Sequence, residues 1–243
     1  MKFRLLILAV LAAPLVGQDT ELDDARQVNL ERAAAMPNFV ADEVSKRYTG
    51  YSIRGGPAKW KFKDTVEVEI TVKGTEVTRQ KWRRNGKPGP LAPGFYPGAG
   101  FGAELKPLFS PDCPTMLAAA GHEEVSGKSA LVYRFSSPAG GCFGFLYGAS
   151  PFNAARAGRV LVEEASGSIL RFEEEATGFP AGFAFVQRNQ IMTWGSVSIG
   201  DTSHWLPEAA DFIWRQANGE LYRVTIEYKN HRHFEAATNI TFK

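Results

Sequence analysis

The chain lacks an excess of charge of either sign. Its 28 basic and 26 acidic side chains leave a net charge of +2. A strongly basic surface is the usual electrostatic mark of a protein that binds nucleic acid or an anionic membrane. The composition therefore gives no reason to expect nucleic acid as a partner, while the apolar fraction of 44% is large enough to build a core.

Long hydrophobic runs are absent except at the start of the chain. Lys2 and Arg4 precede nine apolar residues at positions 5–13, and Pro14 follows them. Nine residues are too few to span a bilayer as a helix, and the order of charge, apolar run and break is typical of a secretory signal peptide. We expect residues 1–17 to be this signal, with cleavage after Gly17 or else after Ala13, and a periplasmic or secreted mature protein without a transmembrane segment.

Cysteine is scarce, since only Cys113 and Cys142 are present. They are not arranged as Cys-x-x-Cys, which disfavours a redox role. In an exported protein such a pair is most simply a disulfide, and two separate buried thiols are the alternative.

Strand patterns are abundant. In residues 59–73, apolar and polar side chains alternate over an unusual length, which predicts a half-buried strand in a broad, curved sheet. The even positions Trp60, Phe62, Val66, Val68, Ile70 and Val72 are predicted to share the concave face. Pairing Val72 with Glu76 in the next strand would place Trp82 beside Val66 and opposite charges on the other face.

The remaining patterns predict an antiparallel meander with little helix. A helix is expected to begin at Glu21, capped by Thr20, and to end at Met36–Pro37. A short helix, limited by Pro107, is expected over residues 103–109, after a Gly/Pro-rich loop at residues 87–102. Further strands are predicted at residues 115–124, 129–136, 142–147, 159–164, 168–177, 186–199, 203–216, 220–232 and 237–242. Residues 39–48 fit either a helix or a strand.

Several short motifs, in order along the chain, resemble a bacterial family of exported proteins of unknown function. They are Met36-Pro37-Asn38-Phe39-Val40, Asp64-Thr65-Val66, Asn85-Gly86-Lys87-Pro88, Leu108-Phe109-Ser110-Pro111 and Ile226-Glu227-Tyr228. The layout is similar to the outer-membrane lipoprotein-carrier (LolA/LolB-like) fold. That resemblance implies a mainly β (α+β) fold in residues 18–243: one curved antiparallel half-barrel with an N-terminal helix and a short covering helix or loop. It also implies that residues 39–48 form the first strand. Ala41 stands where the family often has a cysteine, so Cys113–Cys142 is the one bridge this chain allows.

The carrier fold implies a non-enzymatic protein that binds a lipophilic ligand or a lipidated partner, a lipid or lipoprotein, on the concave face. We expect the loop at residues 87–102 to act as a lid. The predicted ligand-binding residues are Trp60, Phe62, Val66, Val68, Ile70, Trp82, Phe95, Tyr96 and Phe101. The alternatives are an interaction or sensor module of the cell envelope without a small ligand, and a hydrolase.

No motif in the sequence predicts catalysis, a cofactor or a metal site. His231 and His233 share one face of a strand, but apart from Glu235 they lack a third ligand close by. Ser198 does not stand in a nucleophile elbow, because Ser196 takes the place of the first glycine. The neighbouring glutamates at residues 173–175 alternate between the two faces of a strand, which disfavours a paired-carboxylate site.

Overall fold

The computed structural model describes residues 16–52, 56–74, 76–89, 101, 103–147 and 150–234. Three predictions lie outside this part of the chain. They concern residues 1–15 of the expected signal peptide, the last strand at residues 237–242, and the lid residues Phe95 and Tyr96.

The described part of the chain consists mostly of strands. Its helices are α1 (Val16–Ala34) and α2 (Leu105–Phe109). Its strands are β1 (Phe39–Tyr51), β2 (Lys59–Lys73), β3 (Glu76–Arg84), β4 (Lys87–Pro88), β5 (Met116–Val125), β6 (Lys128–Ser137), β7 (Phe145–Tyr147), β8 (Ser150–Phe152), β9 (Ala155–Glu163), β10 (Ile169–Thr177), β11 (Phe185–Ile199), β12 (Thr202–Gln216) and β13 (Glu220–His233).

Eleven of these strands form one open, curved antiparallel sheet, in the order β4-β3-β2-β1-β13-β12-β11-β10-β9-β6-β5. Strands β7 and β8 form a separate hairpin. Tight turns join most neighbouring strands, and twist accumulated over strands of up to 15 residues bends the sheet. The predicted fold class is confirmed. Residues 39–48, which fitted either a helix or a strand, belong to the first strand, as the family resemblance implied, and this strand extends from Phe39 to Tyr51.

We call the face of the sheet that carries the main hydrophobic core the inner face, and the opposite face the outer face. Helices α1 and α2 cover part of the inner face with Ala25, Leu105, Leu108 and Phe109. Buried inner-face side chains of the strands include Phe39, Val68, Ile70, Val72, Tyr133, Phe135, Val160, Phe172, Met192, Phe212, Val224 and Ile226.

One buried side chain fixes helix α1 to the sheet. The amide of Asn29 donates to the carbonyls of Ala25 and Gly167, and its oxygen accepts from the backbone N–H of Ile169. The predicted start of this helix is wrong, because α1 already begins at Val16 and Thr20 lies inside it. A potential capping residue marks a helix end only where the residues before it are not helical.

The predicted register of the β2–β3 hairpin is also wrong. Lys73 pairs with Glu76 and Val72 with Val77, one residue away from the expected pairing. Gly74 supplies the positive φ (56°) that a tight two-residue connection needs, and this turn sets the register. Glu69 consequently bonds to Gln80 and Lys81, while Arg79 reaches Glu43 on β1.

A bulge in β2 moves two predicted residues away from the core. Asp64 pairs with Arg47, but Phe62 pairs with Tyr48, so Lys63 is the extra residue. Neighbouring residues of β1 point to opposite faces, and Phe62 therefore lies on the outer face, 52% exposed. Trp60 lies over Gly50, where a Cβ atom would come within 2.6 Å of its ring. The prediction that Trp60 and Phe62 share the face of Val66 is wrong, because simple alternation does not reveal a bulge.

Candidate ligand-binding face

Six aromatic rings lie together at the end of the sheet where β10 leads into β11. These rings, here called the aromatic cluster, are Phe152, Phe179, Phe183, Phe185, Trp214 and Tyr222. Phe179 and Phe183 stack with their ring centroids 5.1 Å apart, and Phe185 packs 5.0 Å from Trp214. Phe185 and Trp214 are buried, whereas the other four rings are half-buried.

The aromatic cluster lies away from helix α1. Asn29 of α1 contacts the turn between β9 and β10, at the opposite end of these antiparallel strands. Phe179 and Phe183 belong to the connection that follows β10, where Gly178 and Gly182 have positive φ values of 73° and 84°. These glycines allow a compact connection that turns both rings toward the sheet.

Buried charges lie next to the aromatic cluster on the inner face. In this group, here called the arginine cluster, Arg156 and Arg188 both bond to the carboxylate of Glu174. The Arg188 guanidinium lies 5.4 Å from the centre of the Trp214 ring. Arg156 lies 4.6 Å from the centre of the Phe143 ring, and it also donates to the carbonyl of Gly144. Shared hydrogen bonds and ring faces thus compensate charges that the sheet removes from water.

The arginine cluster has perturbed pKa values. Burial lowers the pKa of Arg156 to about 10, and burial next to Arg156 lowers the pKa of Arg188 well below its ordinary value. Glu104, just before α2, lies close enough for the Gln190 amide to donate to it at 3.5 Å. Burial raises the pKa of Glu104, since its charged form is disfavoured there.

A second set of buried charges occupies the other half of the inner face. The Asp64 carboxylate accepts from Arg47 at 2.6 Å through both oxygens and from Arg84 at 2.7 Å. The hydrogen bonds from Arg47 are the main reason why the pKa of Asp64 is lowered. Burial raises the pKa of Glu43 although Arg79 bonds to it at 2.9 Å.

The structure brings only part of the predicted ligand-binding set together, as side chains of the protein's own core. Val66, Val68 and Ile70 are buried in the sheet, and Trp82 is half-buried against the same core. Trp60 and Phe62 lie on the outer face, as described above. Of the predicted ligand-binding residues in the expected lid, Phe101 lies in the described part of the chain, and it is buried with its ring centroid 5.2 Å from Phe39 and 4.6 Å from Tyr228.

Sequence reasoning missed the aromatic cluster and the arginine cluster. The segment Gly178-Phe179-Pro180-Ala181-Gly182-Phe183 could have indicated the aromatic cluster. Two phenylalanines in a Gly/Pro-rich turn are expected to pack against other apolar side chains rather than to face water. The arginine cluster had no comparable signal. Arg156, Glu174 and Arg188 come from three strands that only the register aligns, and Glu104 reaches them from the start of α2.

The predicted disulfide between Cys113 and Cys142 is present, with Cα atoms 5.6 Å apart. It joins the segment after α2 to the connection between β6 and β7. Among the described residues, no group of three or more His, Cys, Asp or Glu side chains could hold a metal ion. No helix in the described ranges has the length and apolar character needed to cross a membrane.

No family model and no curated protein matches the sequence, whereas several solved structures are similar to it. A LolA superfamily protein from Nitrosomonas europaea is 10% identical, with 93% of this chain and 97% of that chain covered and a TM-score of 0.33. A DUF1329 family protein from Desulfovibrio piger is 12% identical, with 92% and 94% covered and a TM-score of 0.40. Lipoprotein LppX from Mycobacterium tuberculosis is 13% identical, with 86% and 94% covered and a TM-score of 0.28. The matches thus include the kind of protein that the sequence motifs resemble, and similarity this low carries no ligand or partner over to this chain.

Proposed function

We propose that this is an exported, non-enzymatic protein that binds a lipophilic molecule, such as the acyl chain of a lipid or of a lipidated partner, at the aromatic cluster. The observation that carries the proposal is that Phe152, Phe179, Phe183 and Tyr222 are half-buried at the end of the inner face that lies away from helix α1. Apolar rings in this state still expose surface to water, and an apolar chain lying across them would remove it.

The neighbouring core supports a binding position at this end of the sheet rather than under the helices. Near α1 and α2, the inner face is filled by side chains of the protein itself, including Leu105, Leu108 and Phe109. Along β9, β10 and β11, the arginine cluster lies between the residues that α1 contacts and the aromatic cluster, although the hydrophobic core is continuous around it. Phe179 and Phe183 already pack on Trp214 of β12 and Phe185 of β11. A lipophilic ligand would therefore lie across the half-buried surface of the aromatic cluster rather than between its rings.

The proposal is tested with the fluorescent fatty acid cis-parinaric acid, titrated into the purified protein. We expect binding at micromolar affinity, and we expect Phe183→Ala to weaken it by about tenfold, because one aromatic contact contributes about 1.4 kcal/mol. Phe62→Ala removes a similar ring from the outer face and should leave the affinity unchanged. Equal affinities for both variants and the unchanged protein, with melting curves showing that all are folded, would contradict the proposal.

A second candidate, an interaction module without a small ligand, is favoured by the extent to which the protein fills its own inner face. Folded protein that binds neither cis-parinaric acid nor phospholipid micelles would support this candidate over the first.

A further inference from the structure

The strand β5 forms one edge of the main sheet and pairs with β6 on one side only. No strand in the described ranges pairs with its other side. Residues 116–120, the first half of β5, are Met-Leu-Ala-Ala-Ala, without charge and without proline. Met116 is 71% exposed, and the three alanines are exposed as well. Alternate residues of such a strand direct their backbone N–H and C=O groups outward, where another strand can pair with them.

The opposite edge of the sheet is protected against such pairing. Strand β4 is two residues long, and β3 carries Arg79, Lys81, Arg83 and Arg84. Lys81 has a positive φ (55°) at the point where the register of β3 shifts, so β3 is bulged as well as charged. Charge, a bulge and shortness are the usual devices that prevent edge-to-edge association. Residues 116–119, which precede the bulge of β5 at Ala120 and Gly121, have none of these devices.

We infer that a second copy of this chain pairs with β5, antiparallel, about a two-fold axis at Ala118. In this register Met116 of each copy stands opposite Ala120 of the other, and Leu117 stands opposite Ala119. A large side chain therefore meets a small one on both faces of the joined sheet, as close packing requires. The pairing joins the two sheets into one that continues through both copies.

The structure limits this pairing to the same five residues in each copy, of which Ala120 already begins the bulge that ends the segment. Pro114, which has no backbone N–H, precedes the segment on one side. On the other side the register of β5 shifts between Ala119 and His122, where Gly121 has a φ of 110°. A two-fold axis at Ala118 places these two interruptions opposite each other, so neither breaks the ladder.

The first test measures self-association by sedimentation velocity over a range of concentrations. The unchanged protein is expected to form a dimer as its concentration rises. Ala118→Lys, which brings two ammonium groups together at the axis, is expected to leave only monomer. Thr78→Lys adds the same charge to the opposite edge, on β3, and should not change the dimer. A protein that stays monomeric at every concentration, or a dimer that survives Ala118→Lys, would overturn the inference.

The second test fixes the register with single cysteines. No free cysteine accompanies the Cys113–Cys142 disulfide in the described chain, so an introduced thiol can pair only with its copy. Ala118→Cys places the two Cα atoms about 4.5–5.5 Å apart across the axis, within disulfide range. Ala120→Cys places them about 13 Å apart or more, beyond that range. We expect oxidation to link Ala118→Cys and not Ala120→Cys, and equal linking of the two variants would show that the register is wrong.

Discussion

At the scale of single residues, the ion pairs of the inner face differ from the ion pairs of the protein surface in how deeply they are buried. Arg47 and Asp64 are almost wholly removed from water, whereas Arg26 and Asp23 form an exposed pair on α1. A buried ion whose partner is removed keeps its desolvation penalty, while an exposed ion is rehydrated. Two pairs with similar hydrogen-bond distances should therefore differ strongly in what they contribute to stability.

Replacing Asp64 tests this difference. We expect Asp64→Ala to lower the free energy of unfolding by about 3–5 kcal/mol, because Arg47 and Arg84 lose their shared acceptor. Asp23→Ala should lower it by less than about 1 kcal/mol. Urea unfolding of both variants at pH 7 measures these changes, and losses of equal size would show that the buried pair is no more important than the exposed one.

Glu104 and Glu163 should make the stability of the protein change with pH in opposite directions. Burial raises the pKa of Glu104, so above its ordinary pKa the folded state binds more protons there than the unfolded state, and stability falls as pH rises. Hydrogen bonds from Ser166 and Lys128 lower the pKa of Glu163, so that its contribution is present above its ordinary pKa and is lost as pH falls.

Amide substitutions separate the two effects. At pH 7 we expect Glu104→Gln to raise the free energy of unfolding and Glu163→Gln to lower it. Unfolding curves between pH 4 and pH 7 should show that the first substitution removes a decline in stability with rising pH, while the second removes a gain. A change of the same sign in both variants would contradict the assignment of the two environments.

At the scale of elements, the Cys113–Cys142 disulfide joins two segments that have little regular structure of their own. It closes a loop with a sequence separation of 29. Loop-closure entropy gives a stabilisation of about 3.6 kcal/mol for a loop of this length. The cross-link therefore holds the segment that follows α2 beside the connection from β6 to β7.

Removing the disulfide should lower stability without removing the sheet. We expect Cys113→Ser combined with Cys142→Ser to reduce the free energy of unfolding by about 3.6 kcal/mol and to keep the β-type circular dichroism spectrum. Without reductant, alkylation should modify no cysteine of the unchanged protein. Two alkylated cysteines in protein purified from an oxidising compartment would show that the bond does not form there.

The elements also show where sequence reasoning succeeds. The bounds of β2 follow directly from the alternation of residues 59–73, and those of β11 and β12 from β-branched and aromatic runs between turn residues. The faces and registers were harder to predict, because each depends on one local event. The bulge at Lys63 moves Phe62 to the outer face, and the turn at Gly74 shifts the β2–β3 pairing by one residue. Neither event changes the alternation of apolar and polar residues on which the prediction was based.

At the scale of the whole molecule, the fold class could be predicted, whereas the candidate site could not. Alternation and turn residues report whether a segment forms a strand, and this information is local. The aromatic cluster combines residues that are up to 70 positions apart, Phe152 and Tyr222, and the arginine cluster combines three strands with the start of α2. The order of the strands in the sheet brings these residues together, and the local alternation of residues does not predict that order.

The strand order has a consequence for how the chain reaches its folded state. Strand β13 lies between β1 and β12, so that Val44 pairs with Glu227, a partner 183 positions later. Until β13 has left the ribosome, β1 has an open edge and the first hairpin has no connection to the later meander. Contacts of such long sequence separation slow folding. An unfinished chain therefore lacks the pairing that joins its first hairpin to the rest of the sheet, and we expect the sheet to be completed only after β13 has left the ribosome.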